Sequence, residues 1–256
     1  MKKIFAVILI FAFALSLASC GETETTPVSS ETPVSSEVPV SSETPVSSEE
    51  EPVSSETEMM NKFSAAYAST APVIDGEIDD IWASSPEIDT EFRRNKEFAY
   101  GYVKVMWSET KLYFLGVVAD TTPSDLVDSI IFWVSETGSD NEQFGLASGD
   151  WCFGMNHTGA GFFGNENATE SPATYSAKKV ENALDGKSGY VVEVEMPLQT
   201  ADYTYASGDY FCLAVSIDDD ADGDGERDNY CATQDPSTQY WSNPSNLNRI
   251  RFLAKP

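Results

Sequence analysis

The densest chemistry in the sequence lies between Asp218 and Asp228. The run Asp220-Ala221-Asp222-Gly223-Asp224-Gly225-Glu226-Arg227-Asp228 places carboxylates at loop positions 1, 3, 5 and 9, with glycine at position 6. Hard oxygens at this spacing converge on one divalent cation, and the glycine permits the sharp turn between them. Position 12 is Cys231, so the bidentate glutamate of a helix–loop–helix calcium site is missing. The flanks read as strands and not helices. Five carboxylates fall within the seven residues from Asp218 to Asp224, and such crowding is costly without a cation. The expected ligands of a structural Ca2+ are Asp220, Asp222, Asp224 and Asp228, with Asp218 or Asp219 available to join them. The alternative is an acidic, solvated hairpin loop.

Other reactive groups are sparse. His157 is the single histidine, which excludes a multi-histidine metal centre. Acids are numerous enough for the paired carboxylates of glycoside hydrolysis, but nothing in their spacing marks a pair. No catalytic residue is assigned, and the chain reads as a non-enzyme. Besides Cys20 there are Cys152, Cys212 and Cys231. Cys212 and Cys231 flank the acidic loop, where a disulfide would suit an extracellular protein; equally, all three fit as buried small hydrophobes.

The elements that must position these groups are short and apolar. Tyr100–Trp107 and Lys111–Ala119 read as strands joined by the turn Ser108-Glu109-Thr110 into a hairpin. Further strands are expected at 128–134, 190–196, 210–217 and 249–253. The alternation from Val192 to Met196 places Val192, Val194 and Met196 toward the core and Glu193 and Glu195 toward water. No long helical period occurs. Short strands separated by turn signals indicate one all-β antiparallel sandwich over residues 62–256.

The N-terminal quarter, residues 1–61, has a different composition. Lys2 and Lys3 precede an apolar run from Ile4 to Leu17, too short to span a bilayer, which needs roughly 20 residues. The run ends in Leu17-Ala18-Ser19-Cys20, which reads as a lipobox. Residues 1–19 are therefore expected to be a lipoprotein signal peptide, with Cys20 lipidated and the remainder at the extracellular face of a bacterial cell. From Gly21, Pro-Val-Ser-Ser-Glu occurs five times, starting at Pro27, Pro33, Pro39, Pro45 and Pro52. This stretch to residue 61 is expected to be a disordered, extended tether reaching up to roughly 100 Å. The whole chain holds 42 acidic and 15 basic residues, net -27. Setting aside the tether's ten glutamates and the two leading lysines leaves 32 acids against 13 bases from residue 59 onward. A domain so acidic excludes nucleic acid and anionic membrane surfaces as partners, since both require positive charge. Membrane contact is expected through the lipid alone, and the domain is expected to be monomeric.

An ordered series of motifs carries a family resemblance. Val73-Ile74-Asp75-Gly76-Glu77-Ile78-Asp79-Asp80-Ile81-Trp82, the hairpin residues Val105-Met106-Trp107 and Leu112-Tyr113, then Asp120, Asp128-Ser129, Gly189-Tyr190-Val191-Val192-Glu193 and Trp241-Ser242-Asn243-Pro244-Ser245 follow in order. Together they resemble carbohydrate-binding module family 9 across residues 71–254. The resemblance implies a jelly-roll-like sandwich, structural calcium and a sugar held between two tryptophans. Trp241 matches one of these tryptophans. The position of the other falls in Pro123–Val127, which has no aromatic. The Glu, Arg and amide of the family's hydroxyl clamp fall at Ile131, Gly145 and Thr238. Trp151, in a glycine- and aspartate-rich stretch, Tyr240 beside Trp241, and Asn243 in the same turn complete the expected carbohydrate contacts. Trp82, Trp107 and Trp133 are expected in the core. The implied function is non-catalytic capture of a plant-type polysaccharide or its chain end. The alternative is a calcium-stabilised adhesion module that has lost its sugar site and holds a protein or wall partner.

Overall fold

Residues 63–125, 127–138, 149–164, 171–200 and 202–255 are described, from a computed structural model. The signal segment, Cys20 and the repeat tether assigned to residues 1–61 lie outside the described residues. Twelve strands follow in chain order: β1 (Ser64–Tyr67), β2 (Ile88–Asp89), β3 (Tyr100–Trp107), β4 (Lys111–Ala119), β5 (Ser129–Ser135), β6 (Asp150–Met155), β7 (Gly161–Gly164), β8 (Thr174–Leu184), β9 (Lys187–Pro197), β10 (Tyr210–Asp219), β11 (Asn229–Ala232) and β12 (Asn248–Phe252). The expected hairpin is present, with Trp107 opposite Leu112.

The first sheet runs β7-β6-β5-β10-β12, and β11 shares the β10 edge with β12. The second runs β3-β4-β9-β8, with β2 beside β3. β1 pairs in parallel with both β12 and β3 and so joins the two sheets; the other pairings are antiparallel. The all-β antiparallel sandwich expected from the sequence is therefore the observed fold. Its core lies between the sheets, where Phe114 meets Phe132 at 5.0 Å and Phe211 stacks on Phe252 at 5.6 Å between ring centroids.

The outer face of the second sheet is also covered. Residues 71–84 cross it and end in a 3-10 turn (Asp80–Ser84) that buries Trp82 against Met106, Tyr113, Leu115 and Val191. This corrects the expectation for Glu193. Alternation does turn its side chain away from the sandwich core, but that side is roofed by Trp82, so Glu193 is buried. Its Oε1 accepts the Trp82 indole N–H at 2.9 Å, and its Oε2 accepts the backbone N–H groups of Gly76 at 2.9 Å and Asp75 at 3.1 Å. Gly76 has φ +84, and a Cβ there would stand 2.8 Å from the Lys178 Cβ, so only glycine lets the segment lie this close. Glu195 is half-buried and pairs with Lys111.

The cysteines do not pair. Cys212 faces the outside of the first sheet beneath Tyr240 and Leu247, whereas Cys231 joins the inter-sheet core beside Thr90. Of the two readings open from the sequence, the Cys212–Cys231 disulfide is not formed.

Glu193 supplies the acceptors for three N–H groups under a roof of apolar side chains. Glu193→Ala should lower the unfolding free energy by about 3 kcal/mol, the scale of leaving buried donors unpaired. Urea denaturation checks this, and a loss below about 1 kcal/mol would mean the roof is held by apolar packing alone.

Candidate functional site

Three buried carboxylates meet at one end of the sandwich. Asp120 follows β4, Asp128 precedes β5, and Asp219 ends β10. Their ligand oxygens lie within 4.8 Å of one another. Asp128 is well bonded, since Oδ1 accepts the Asp220 N–H and Oδ2 the Ser124 N–H, each at 2.6 Å. Both oxygens of Asp219 and Oδ2 of Asp120 lack a well-formed hydrogen bond, and so does the nearby Tyr190 hydroxyl. Burial, reinforced by the neighbouring carboxylates, pushes Asp128 and Asp219 up to about 6 and raises Asp120 as well. Orphaned buried oxygens from three convergent carboxylates are the donor set a hard divalent cation such as Ca2+ requires. The triad fits that ion.

The acidic loop is built differently. Asp220, Asp222 and Asp224 also bring ligand oxygens within 4.8 Å of one another, but Asp228 is not among them. Its Oδ2 instead accepts the N–H groups of Ala221 and Asp222 and closes the loop. Asp220 Oδ1 accepts from Gly223 and Asp224, and its Oδ2 from Gly225 and the Ser124 hydroxyl. Backbone N–H groups thus do much of the work that the sequence assigned to a cation. The buried oxygens without well-formed bonds lie one residue inward of Asp220, at Asp219, and at Asp120, close to Asp128. The sequence held a signal for this triad: each of its aspartates sits where an apolar strand begins or ends.

The aromatic residues divide between the core and the outer face of the first sheet. Trp151, expected to be exposed, is fully buried. It faces Phe114 at 6.0 Å, and its indole N–H donates to Glu136 Oε1 at 2.9 Å. Glu136 also accepts from the backbone of Gln199 and Thr200, tying the 198–200 segment to the end of β5. Tyr240 is buried as well, because it covers Cys212 and Ala214 on the outer face of the first sheet. Neither residue can face a ligand. Trp133 departs from its expected core position: it lies part-buried on that same outer face, 6.5 Å from the Tyr240 ring.

Trp241 stands above this surface, 39% exposed, with its ring edge-on to Tyr240 at 5.2 Å. The segment carrying it is braced. Gln234 bonds the Asn246 carbonyl at 2.6 Å and the Asn248 N–H at 3.1 Å, and the Asn246 amide donates to the Thr238 carbonyl at 2.6 Å. Asn243 Oδ1 accepts the Ser245 N–H and hydroxyl and so caps the 3-10 turn Pro244–Asn246, which leaves its oxygen committed locally. Ile131 occupies the same face, buried, opposite Ser216 and Gly154. Gly145 lies outside the described residues. Phe162 and Phe163, on β7, line a separate hollow of about 420 Å³ with Tyr175.

The profile of the family described as Carbohydrate family 9 binding domain-like matches residues 74–252. Endo-1,4-beta-xylanase A of Thermotoga maritima is 29% identical over 219 residues, covering 78% of this chain and 19% of the relative. Exoglucanase XynX of Acetivibrio thermocellus is 29% identical over 195 residues, covering 72% of this chain and 17% of the relative. The chain spans about a fifth of the length of these curated relatives. A carbohydrate binding module family 9 from Caldicellulosiruptor kristjanssonii in complex with cellotriose shares the fold, with TM-score 0.63, 21% identity, and coverage of 76% of this chain and 94% of that one. Its complex with glucose gives TM-score 0.61 at 21% identity, covering 75% and 96%.

The triad sets a pH dependence. Asp128 and Asp219 titrate near 6 in the fold and near 3.9 when unfolded. Between those values the folded chain holds protons that the unfolded chain has released. The associated stability is fully present below about pH 3.9 and is lost as pH rises through about 6. In chelator, the melting temperature should fall by about 5 °C or more from pH 4.5 to pH 7, since 1 kcal/mol moves a domain of this size by roughly 2–4 °C. A melting temperature that rises over that interval would contradict the geometry of the triad.

Proposed function

The chain belongs to the carbohydrate family 9 binding domain-like family, and from that premise we propose that its folded domain is a non-catalytic carbohydrate-binding module. In this reading the module is monomeric, carried at the extracellular face by a lipid on Cys20, and captures a polysaccharide or its chain end. One observation carries it: Trp241 is a large exposed aromatic on a segment fixed by its own hydrogen bonds, so it offers a sugar face a platform that needs no ordering. The relatives' names support a plant-type glycan, and the cellotriose and glucose complexes of the structural neighbours support a β-linked glucose or xylose backbone.

Stacking one sugar face on one indole removes ~60 Å² of apolar area from water, worth roughly 1.5 kcal/mol. A millimolar complex needs about 4 kcal/mol. Trp133 on the same face, and polar groups around it, must supply the rest. The lipobox Leu17-Ala18-Ser19-Cys20 and the extended repeat tether support display of many copies on one cell, where weak sites act together.

We further propose that Asp120, Asp128 and Asp219 hold a structural Ca2+, with Asp220, Asp222 and Asp224 a second and weaker site. The ion would compensate the buried charge and fix the ends of β4, β5 and β10. A second functional reading is favoured by Ile131, which puts an aliphatic side chain where the resemblance implies a hydroxyl-binding glutamate. It makes the domain a calcium-stabilised adhesion module for a protein or wall partner.

Two measurements test these proposals. Calorimetric titration with cellotriose and xylotriose should give millimolar to high-micromolar binding, lost on Trp241→Ala while the melting temperature is unchanged. Absence of binding to neutral and acidic glycans alike moves the weight to the adhesion reading. Adding Ca2+ to chelator-treated protein should raise the melting temperature by several degrees, more at pH 7 than at pH 5, and Asp219→Asn should abolish most of that rise. Indifference to chelator at pH 7 sinks the calcium proposal.

A further inference from the structure

We infer that the outer face of the first sheet selects glycans bearing carboxylates, that is uronic-acid-containing chains, over neutral chains of the same backbone. This inference rests on the carbohydrate-binding reading and names the substrate class of the same surface.

The arginines are the first observation. The chain has five, at 93, 94, 227, 249 and 251, and four of them gather at this face. Arg249 and Arg251 project from β12 on the side away from the core residues Ile250 and Phe252. Arg93 and Arg227 stack on the ring of Tyr230 in β11, at 4.6 and 4.7 Å from its centroid. The lysines of β3, β4, β8 and β9 belong to the second sheet. Arginine is the residue suited to planar, two-point recognition of a carboxylate, which lysine cannot reproduce.

The second observation is what these arginines touch. Arg249 lies over Tyr210 at 4.7 Å. A guanidinium held over a ring is kept in place by the ring's face while N–H groups pointing away from it stay available. Among the described residues Arg227 pairs with Asp218, but Arg93 and Arg249 form no ion pair. That is notable in a chain where 42 acids face 15 bases, because carboxylate partners are abundant. Arg93 also holds a left-handed backbone, φ 56, which costs a non-glycine residue energy and persists where surrounding structure enforces it.

The third observation is continuity with the stacking platform. Tyr240 packs in one cluster with Tyr210, the ring beneath Arg249, and with Trp133, and its ring meets that of Trp241. The Arg249–Tyr210 pair and the exposed indole are therefore parts of one surface, and Arg93 and Arg227 lie over Tyr230 farther along the same sheet face. The acidity of the whole domain does not oppose this, since charges farther apart than about 8 Å are screened at physiological salt. Contacts within the face decide the preference. A sugar ring on Trp241 would supply the apolar contact, and its carboxylate would take the N–H edge of Arg93 or Arg249.

Calorimetric titration of the folded domain with three probes tests this: xylotriose, xylotriose carrying one glucuronate, and the same glucuronate compound with its carboxyl reduced to the alcohol. The charged compound should bind about tenfold tighter than its reduced form. That ratio should shrink toward one in about 1 M NaCl, where the Debye length is about 3 Å. In the double variant Arg93→Gln, Arg249→Gln, the affinity for the charged compound should fall to that of the reduced one, with an unchanged melting temperature showing that the fold is kept. Equal affinity for the charged and reduced compounds overturns the inference and leaves the carbohydrate reading intact. A ratio that survives the double variant also overturns it, because the selectivity then comes from elsewhere. If none of the three probes binds, the carbohydrate reading falls and takes the inference with it.

Discussion

Removing a carboxylate from water is the costliest step this sandwich makes, and it constrains where the loops can lie. An ionised carboxyl in a dry interior must be compensated by donors, by a cation or by a proton. At Glu193 the compensation is complete: an indole N–H and two backbone N–H groups converge on two oxygens. At Glu136 it is complete again, with the indole of Trp151 and the backbone of residues 199 and 200. The two devices are chemically alike and sit on different sheets. Each uses a buried tryptophan as both apolar filler and donor, and each pins a connecting segment to a strand. At Asp120, Asp128 and Asp219 the same accounting fails, because three oxygens are left without well-formed bonds. That contrast separates carboxylates satisfied by the fold's own donors from carboxylates left to a proton or a cation.

The outer face of the first sheet follows from the same separation. With Trp82, Trp107 and Trp151 committed to interiors, Trp133 and Trp241 remain on a surface. The polypeptide between β11 and β12 folds back over that surface, burying Tyr240 and leaving Trp241 above it. Neighbouring residues thus meet opposite fates: one is the floor that fixes the segment and the other is the platform it presents. The bracing around Gln234 and Asn246 gives the platform a single position, so a ligand meeting it loses little to ordering.

Much of this was legible in the sequence, and the misses share a cause. The hairpin of β3 and β4 and the strands at β5, β9, β10 and β12 follow from apolar runs and alternation. The Ile-Asp-Gly to Trp82 run and the Gly-Tyr-Val-Val-Glu strand are visible as motifs, but their contact is not, since residues 76 and 193 meet only through the fold. Alternation correctly turned Glu193 away from the core; it could not report that the other side was roofed. Trp151 looked exposed because glycine and aspartate precede it, whereas strand pairing with β5 sets its direction inward. Asp120 and Asp128 were noticed as positions in a series, but a metal triad drawn from three strand ends has no spacing to read. The loop at 220–228 did have a spacing, and that drew attention one residue past the group with orphaned oxygens.

The distribution of positive charge ties the surface to its setting. Residues 21–58 hold ten glutamates and no base, a charge that opposes contact with anionic surfaces. The domain that follows them is also acidic, yet its arginines are not spread to balance that charge. Arg93 and Arg227 lie over Tyr230 and Arg249 over Tyr210, on the sheet face that also carries the exposed indole. If positive charge served solubility or general attraction, flexible lysines scattered over both sheets would do as well. Planar guanidiniums fixed on aromatic rings serve direction instead: they discriminate a ligand by where its negative group sits relative to its apolar face. Because more distant charges are screened at physiological salt, the selection is made at contact distance, where a ligand's carboxylates meet those edges.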